Sequence, residues 1–138
     1  MDDKVTRKNA RKARTRYQDG LGDWYTLDNA AMIMPAVVSP RDTLLFRVSA
    51  TLDAPVRIAA LQAALDRCAA RFHYFVVELR KGAFGHYLEP HGSRVLVEAD
   101  PPSPCQDFDM RRPGTCLFRV KARESRIACE FSHVLTDG

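Results

Sequence analysis

The residues best suited to chemistry stand in the stretch EFSHVLTDG, residues 130–138. Strand-like alternation would place His133 on the same face as Cys129 and Phe131, so that it continues an apolar face where the strand gives way to a loop. Histidine titrates at about pH 6.5, and a neutral imidazole in such a position can accept a proton. We interpret His133 as a candidate general base. The alternative is a histidine with a purely structural role.

Two further residues of this stretch could support such a base. Asp137 follows four residues after His133 and could fix the loop or orient another group. Gly138 could supply a positive φ angle. The three other histidines lie in or beside predicted turns and form no cluster with His133. Spacing alone therefore assembles no catalytic triad.

The elements that would position these residues are a strand, a long helix and several further strands. Alternation over residues 44–52 predicts the strand, and an apolar stripe over residues 54–72 predicts the helix, with Asp53 as its cap. The later runs predict strands over residues 74–82, 84–90, 94–100, 115–122 and 125–133. The predicted fold class is α+β, a two-layer α/β sandwich with one long helix on a largely antiparallel sheet.

Earlier in the chain, Trp24, Leu27, Ala31 and Met34 recur at steps of three and four residues. That spacing predicts a short helical piece.

The composition predicts one domain preceded by a basic tail. The chain has 138 residues, 46% of them hydrophobic, and a net charge of +4. Residues 1–17 hold seven basic and two acidic side chains, which is +5, so the remainder carries −1. We expect residues 1–20 to form a flexible tail and residues 21–138 to form the folded part. No nucleic-acid motif accompanies the tail, so we do not expect nucleic-acid binding.

Other compositional features favour a cytoplasmic protein without a bound cofactor. The longest apolar runs are far shorter than the roughly 20 residues of a membrane span, so no membrane association is expected. The four cysteines are dispersed, without a C-x-x-C pair, and therefore predict no metal site. No secretory signal is visible, so the thiols should be reduced.

Several stretches resemble a known family. SHVLTDG resembles the H-x-x-x-D-G active-site motif of the chloramphenicol acetyltransferase-like superfamily, which includes alcohol acetyltransferases and the condensation domains of peptide synthetases. WYTLDNAAMIMP, LQAALDRCAARFHYFVVELRKGAFGHYLEP and CLFRV are similar to the N-terminal part of bacterial alcohol acetyltransferase-like proteins. The resemblance covers residues 24–138.

The resemblance implies a function and roles for the motif residues. His133 would deprotonate an acceptor hydroxyl, which then attacks the thioester of acyl-CoA as co-substrate. Asp137 and Gly138 would be structural, with Asp137 in a salt bridge to an arginine. Condensation domains carry a second histidine where Ser132 stands, so the resemblance favours transfer to an alcohol.

Family members contain two similar halves with the active-site channel between them, and the resemblance covers only the first half. We therefore expect residues 21–138 to be an N-terminal half-domain that needs a C-terminal half, a second chain or a homo-oligomer to complete its site. The 138-residue chain alone should have little or no activity. The alternative is a non-catalytic binding or assembly module with the same fold. Acyl chain length and acceptor identity stay open.

Overall fold

Eight strands and one long helix make up most of the described structure, a computed structural model that covers residues 16–18, 23–27, 31–39, 42–106 and 108–136. The predicted α+β class is confirmed, since both sheets are mostly antiparallel and one helix is much longer than the others. Asp137, Gly138 and residues 1–15 of the predicted tail lie outside the described residues.

The strands, in chain order, are β1 Arg16–Gln18, β2 Asp23–Thr26, β3 Leu45–Thr51, β4 Val77–Gly82, β5 Gly85–Pro90, β6 Val97–Ala99, β7 Phe118–Arg123 and β8 Arg126–Ser132. The α-helices of the described residues are α1 Met34–Val37 and α2 Ile58–Arg71, and a 3-10 turn spans His73–Phe75.

The strands form two four-stranded sheets rather than the one sheet that the sequence suggested. The first has the order β1-β2-β5-β4, and the second has the order β3-β8-β7-β6, in which only the β6–β7 pair is parallel. Leu117, just before β7, donates its backbone N–H to the carbonyl of Val77 at 3.0 Å. This hydrogen bond links the two sheets.

The hairpins follow from local sequence signals. β4 and β5 form the hairpin that the sequence predicted across KGAFG, and their register Gly82↔Gly85 leaves a two-residue turn. β7 and β8 are likewise joined by a tight turn, in which Glu124 adopts a φ of 53°. These two hairpins bring most of the strand-forming sequence together through local contacts.

The long helix α2 covers one face of the second sheet. Leu65 is buried and belongs to the same core as Cys129 and Phe131 of β8. The Gln62 side chain donates to the carbonyl of Val95 at 3.0 Å and accepts the N–H of Val97 at 2.8 Å. The helix is thereby tied to the edge strand β6 as well as to the apolar face.

The predicted cap of this helix was wrong. Helix α2 begins at Ile58, and its N-cap residue, Arg57, makes no side-chain capping bond. The preceding segment instead follows the β7–β8 turn, because Val56 donates its N–H to the carbonyl of Glu124 at 2.8 Å. This tertiary hydrogen bond outweighs the local preference for a cap at Asp53.

The helical piece predicted around Trp24 was also wrong at its beginning. Trp24 lies in strand β2, opposite Tyr17 of β1, and the first helix among the described residues begins at Met34. Pairing with β1 and β5 overrides the three- and four-residue spacing. Strand β1 itself falls within the segment predicted as a tail. Among the described residues, no helix is long and apolar enough to cross a membrane.

Candidate functional site

His133 directly follows the last residue of β8, at the end of the second sheet. Its backbone N–H donates to the carbonyl of Leu44 at 2.9 Å, which extends the β3–β8 ladder by one step. The imidazole is half-buried, and its centroid lies 5.1 Å from the ring centroid of Phe46. The strand end, the neighbouring strand and an aromatic ring thus position this side chain together.

A row of phenylalanines continues across the sheet from His133. Phe46 stacks on Phe131 with ring centroids 5.3 Å apart, and Phe131 stacks on Phe118 at 6.0 Å. Phe75 adds an edge contact to Phe131 at 5.9 Å. Aromatic pairs in this distance range contribute about 0.5 to 1.5 kcal/mol each beyond their burial. His133 therefore stands at the end of a packed apolar row, in the phase that the sequence predicted.

The turn after His133 is anchored by a buried serine. Ser132 is fully buried, and its carbonyl accepts the N–H of Leu135 at 2.8 Å, while its hydroxyl accepts the N–H of Val134 at 3.3 Å. Val134 and Leu135 are buried as well. This hydroxyl-bonded turn leads toward Asp137 and Gly138. Because those two residues lie outside the described part of the chain, their assigned roles stay predictions.

The opposite face of the same strands carries a buried network of charges. Arg47 lies between two carboxylates whose side chains are fully buried, at 2.5 Å from Asp100 and 2.9 Å from Glu130. Arg119 approaches Glu130 at 2.6 Å, and the Cys105 N–H donates to Glu130 at 2.9 Å. These contacts hold β3, β7 and β8 together beneath the strand end that carries His133.

Both carboxylates of this network are held in the ionised form. The hydrogen bond from Arg47 is the largest of the causes that lower the pKa of Asp100. For Glu130, burial favours the neutral acid, but the Cys105 N–H and the charges of Arg119 and Arg47 together outweigh it and lower the pKa. Neither group is therefore suited to donate a proton near neutral pH. Their role is to support the sheet.

Sequence reasoning missed this network, although one signal was available. Arg47, Arg119 and Glu130 occupy the second face of strands whose first face is apolar. Charged residues in register on neighbouring strands indicate cross-strand ion pairs. The resemblance implied a salt bridge between Asp137 and an arginine. Arg47 already forms ion pairs with Asp100 and Glu130.

A cavity of about 700 Å³ lies beside the second sheet. It opens between the segment that follows β5 and the loop that precedes β7, and it is lined by His91, Phe108, Phe118 and several arginines. His133 does not line it. Phe118 is the link between the two places, because its ring also ends the aromatic row that begins at His133. Sequence reasoning found neither the cavity nor its arginines.

Within the described ranges, no group of three or more histidine, cysteine, aspartate or glutamate side chains could hold a metal ion. Comparison with known proteins adds no relative: no protein-family model matches the chain, and no curated protein matches it.

Proposed function

We propose that this chain is the N-terminal portion of an acyltransferase that moves an acyl group from acyl-CoA to an alcohol hydroxyl. The observation that carries the proposal is the placement of His133 at the end of β8, half-buried and fixed by Leu44 and Phe46. A general base needs a defined position and access to its substrate, and a strand end offers both. The H-x-x-x-D-G pattern and the order of strand, long helix and further strands support the same proposal.

In the proposed reaction His133 first accepts a proton and then donates it. The neutral imidazole accepts the proton of the acceptor hydroxyl as the alcohol oxygen forms a bond to the thioester carbonyl carbon. The carbon–sulfur bond then breaks, and the departing CoA thiolate receives the proton from the imidazolium. General-base assistance of this kind contributes about 10² to 10⁴ in rate. The products are an ester and free CoA, and the histidine returns to its neutral form.

The surroundings of His133 are suited to this role. The Phe46 ring packs beside the imidazole, and the backbone hydrogen bond to Leu44 restrains its main chain, so the side chain has few alternative positions. A group held in a productive position loses less entropy on reaching the transition state. In this proposal the facing wall of the site belongs to a second half-domain, supplied by the same polypeptide or by another chain.

The proposed activity is tested by identifying its products. The full-length product of the gene that encodes this chain is incubated with acetyl-CoA and a panel of primary alcohols, and the esters are identified by mass spectrometry. We expect ester and free CoA to form in equal amounts. Release of CoA without ester would indicate a thioesterase instead, and formation of neither product would contradict the proposal.

A non-catalytic binding module is the second candidate, and one observation favours it. The cavity beside the second sheet is lined by residues other than His133, so it does not include the proposed base. If acyl-CoA failed to bind the full-length protein and His133→Ala left its ligand binding unchanged, this second function would be preferred.

A further inference from the structure

The 700 Å³ cavity combines an apolar floor with a basic rim. Its volume falls within the range of about 300 to 1,000 Å³ that is typical of small-molecule sites. Phe108 and Phe118, both buried, supply aromatic surface. Four arginines and two acidic residues also line it: Arg94, Arg111, Arg112, Arg119, Glu98 and Asp109. A lining of this composition suits a ligand with an apolar body and a negatively charged group.

Two of the four arginines are already engaged by carboxylates outside the cavity. Arg119 binds Glu130 at 2.6 Å and stacks over the Phe108 ring at 5.2 Å, so it supports the floor. Arg94 donates through two nitrogens to Asp66, at 2.9 and 2.5 Å. The positive charge of each of these two guanidinium groups is therefore largely neutralised by its carboxylate partner.

The other two arginines are much less committed. The Arg111 guanidinium lies 3.8 Å from Asp109, beyond hydrogen-bond distance. Within the described part of the chain, the Arg112 guanidinium has neither an ion pair nor a hydrogen bond, and its side chain is exposed. The remaining acidic liner, Glu98, is paired with Lys121 at 3.3 Å. The positive charge available to a ligand therefore lies at Arg111 and Arg112.

The backbone around these two arginines is well anchored. Met110, immediately before them, is fully buried. The Arg112 N–H donates to the carbonyl of Asp109 at 3.1 Å, and the Thr115 N–H donates to the carbonyl of Arg112 at 3.2 Å. Gly114 closes the turn with a φ of 80°, a conformation that favours glycine. An anchored loop lowers the ordering cost of ligand binding.

A partly buried histidine contributes a further polar group to the wall. The His91 side chain is 11% exposed and lines the cavity, while its Nδ1 lies 3.7 Å from the Glu78 Oε2. Among the described residues, neither atom has a hydrogen-bond partner. Glu78 is fixed in turn by Arg80 at 2.8 Å. The Nδ1 edge of the His91 ring therefore faces this carboxylate.

We infer that this cavity binds a phosphate monoester with an apolar or aromatic body. The forked guanidinium groups of Arg111 and Arg112 match phosphate oxygens, whereas the Phe108 and Phe118 surface matches the ester group. Inorganic phosphate alone would fill only a small part of the space. The site does not include His133 and does not depend on the acyltransferase proposal.

Calorimetric titration with phenyl phosphate, inorganic phosphate and phenol tests the inference. We expect phenyl phosphate to bind more tightly than either fragment. The double variant Arg111→Ala/Arg112→Ala should weaken phenyl phosphate binding by about tenfold or more, because it removes hydrogen bonds between charged groups, which are stronger than those between neutral groups. The control Arg67→Ala/Arg123→Ala removes the same charge from exposed positions outside the cavity and should change the affinity by less than about twofold.

Three outcomes would overturn the inference. One is the absence of phenyl phosphate binding. Another is an equal loss of affinity in the double variant and in its charge-matched control, which would indicate attraction by net charge alone. The third is inorganic phosphate binding as tightly as phenyl phosphate, which would leave no role for the apolar floor.

Discussion

The imidazole of His133 lies 5.1 Å from the ring of Phe46, with the two ring planes inclined by 47°. One residue belongs to the end of β8 and the other to β3, so the position of the proposed base depends on the pairing of these two strands. Both rings also belong to the row that continues through Phe131. A substitution on β3 should therefore alter the position of the His133 side chain without changing the imidazole itself.

Replacement of Phe46 should loosen this arrangement and lower stability. Phe→Ala in a fully packed core costs about 3 to 5 kcal/mol, and because Phe46 is only half-buried, we expect Phe46→Ala to lower the unfolding free energy by about 2 kcal/mol. Urea denaturation measures the change. Val48→Ala is the control, since Val48 lies on the same face of β3 but is 61% exposed, and it should have a much smaller effect. Equal losses in the two variants would argue against a packed aromatic row.

Removal of one charge from the buried network should be strongly destabilising. Glu130→Gln keeps the shape of the side chain but leaves Arg47 and Arg119 without the charge that they share. Loss of one partner of a buried ion pair costs about 3 to 5 kcal/mol, and we expect a value near the lower end because Arg47 retains Asp100. Asp66→Asn, which interrupts an exposed pair with Arg94, is the control and should change the urea midpoint far less.

The same network predicts a loss of stability in acid. Asp100 and Glu130 both have folded-state pKa values below their unfolded values. Their contribution is therefore fully present above the unfolded pKa values, about 3.9 and 4.3, and is lost as the pH falls through the lower folded values. Urea denaturation at a series of pH values should show a decline below about pH 4 that is shallower in Glu130→Gln. An identical decline in both proteins would contradict this assignment.

The cysteines should differ in reactivity. Burial raises the pKa of the Cys116 and Cys129 thiols, which disfavours the reactive thiolate, whereas Cys68 is exposed on α2. We expect Cys68 to react with a thiol reagent at least about tenfold faster than either of these two partly buried thiols. Cys68→Ser should remove the fast phase of a time course with Ellman's reagent. Survival of that phase in the variant would show that another thiol is accessible.

The sequence was most informative where structure is determined locally. Period-two alternation located β3, β7 and β8, and the apolar stripe located α2, because both signals depend on neighbouring residues. Alternation also placed His133 on the face of Phe131 at the end of β8. The division into two sheets was not predictable in this way, because it depends on pairings between strands that are far apart in the sequence, such as β2 with β5 and β3 with β8.

The charged network and the cavity escaped prediction for the same physical reason. Arg47 lies 53 positions from Asp100 and 83 positions from Glu130 along the chain, so spacing gives no sign that they meet. The cavity likewise joins His91 to a loop near Arg112. Trp24 illustrates the opposite failure, in which a helical spacing was present but strand pairing prevailed.

The most direct test of the central claim is the rate of acyl transfer in a His133→Ala variant of the full-length gene product. Thiol release from acetyl-CoA is followed in a Cys68→Ser background, with a saturating alcohol and a no-alcohol blank. His73→Ala serves as the control, because His73 is exposed in the 3-10 turn. We predict that His133→Ala lowers kcat by about 10² to 10⁴ while His73→Ala leaves it unchanged. Alcohol-dependent thiol release at the parent rate in His133→Ala would contradict the assignment of His133 as the base.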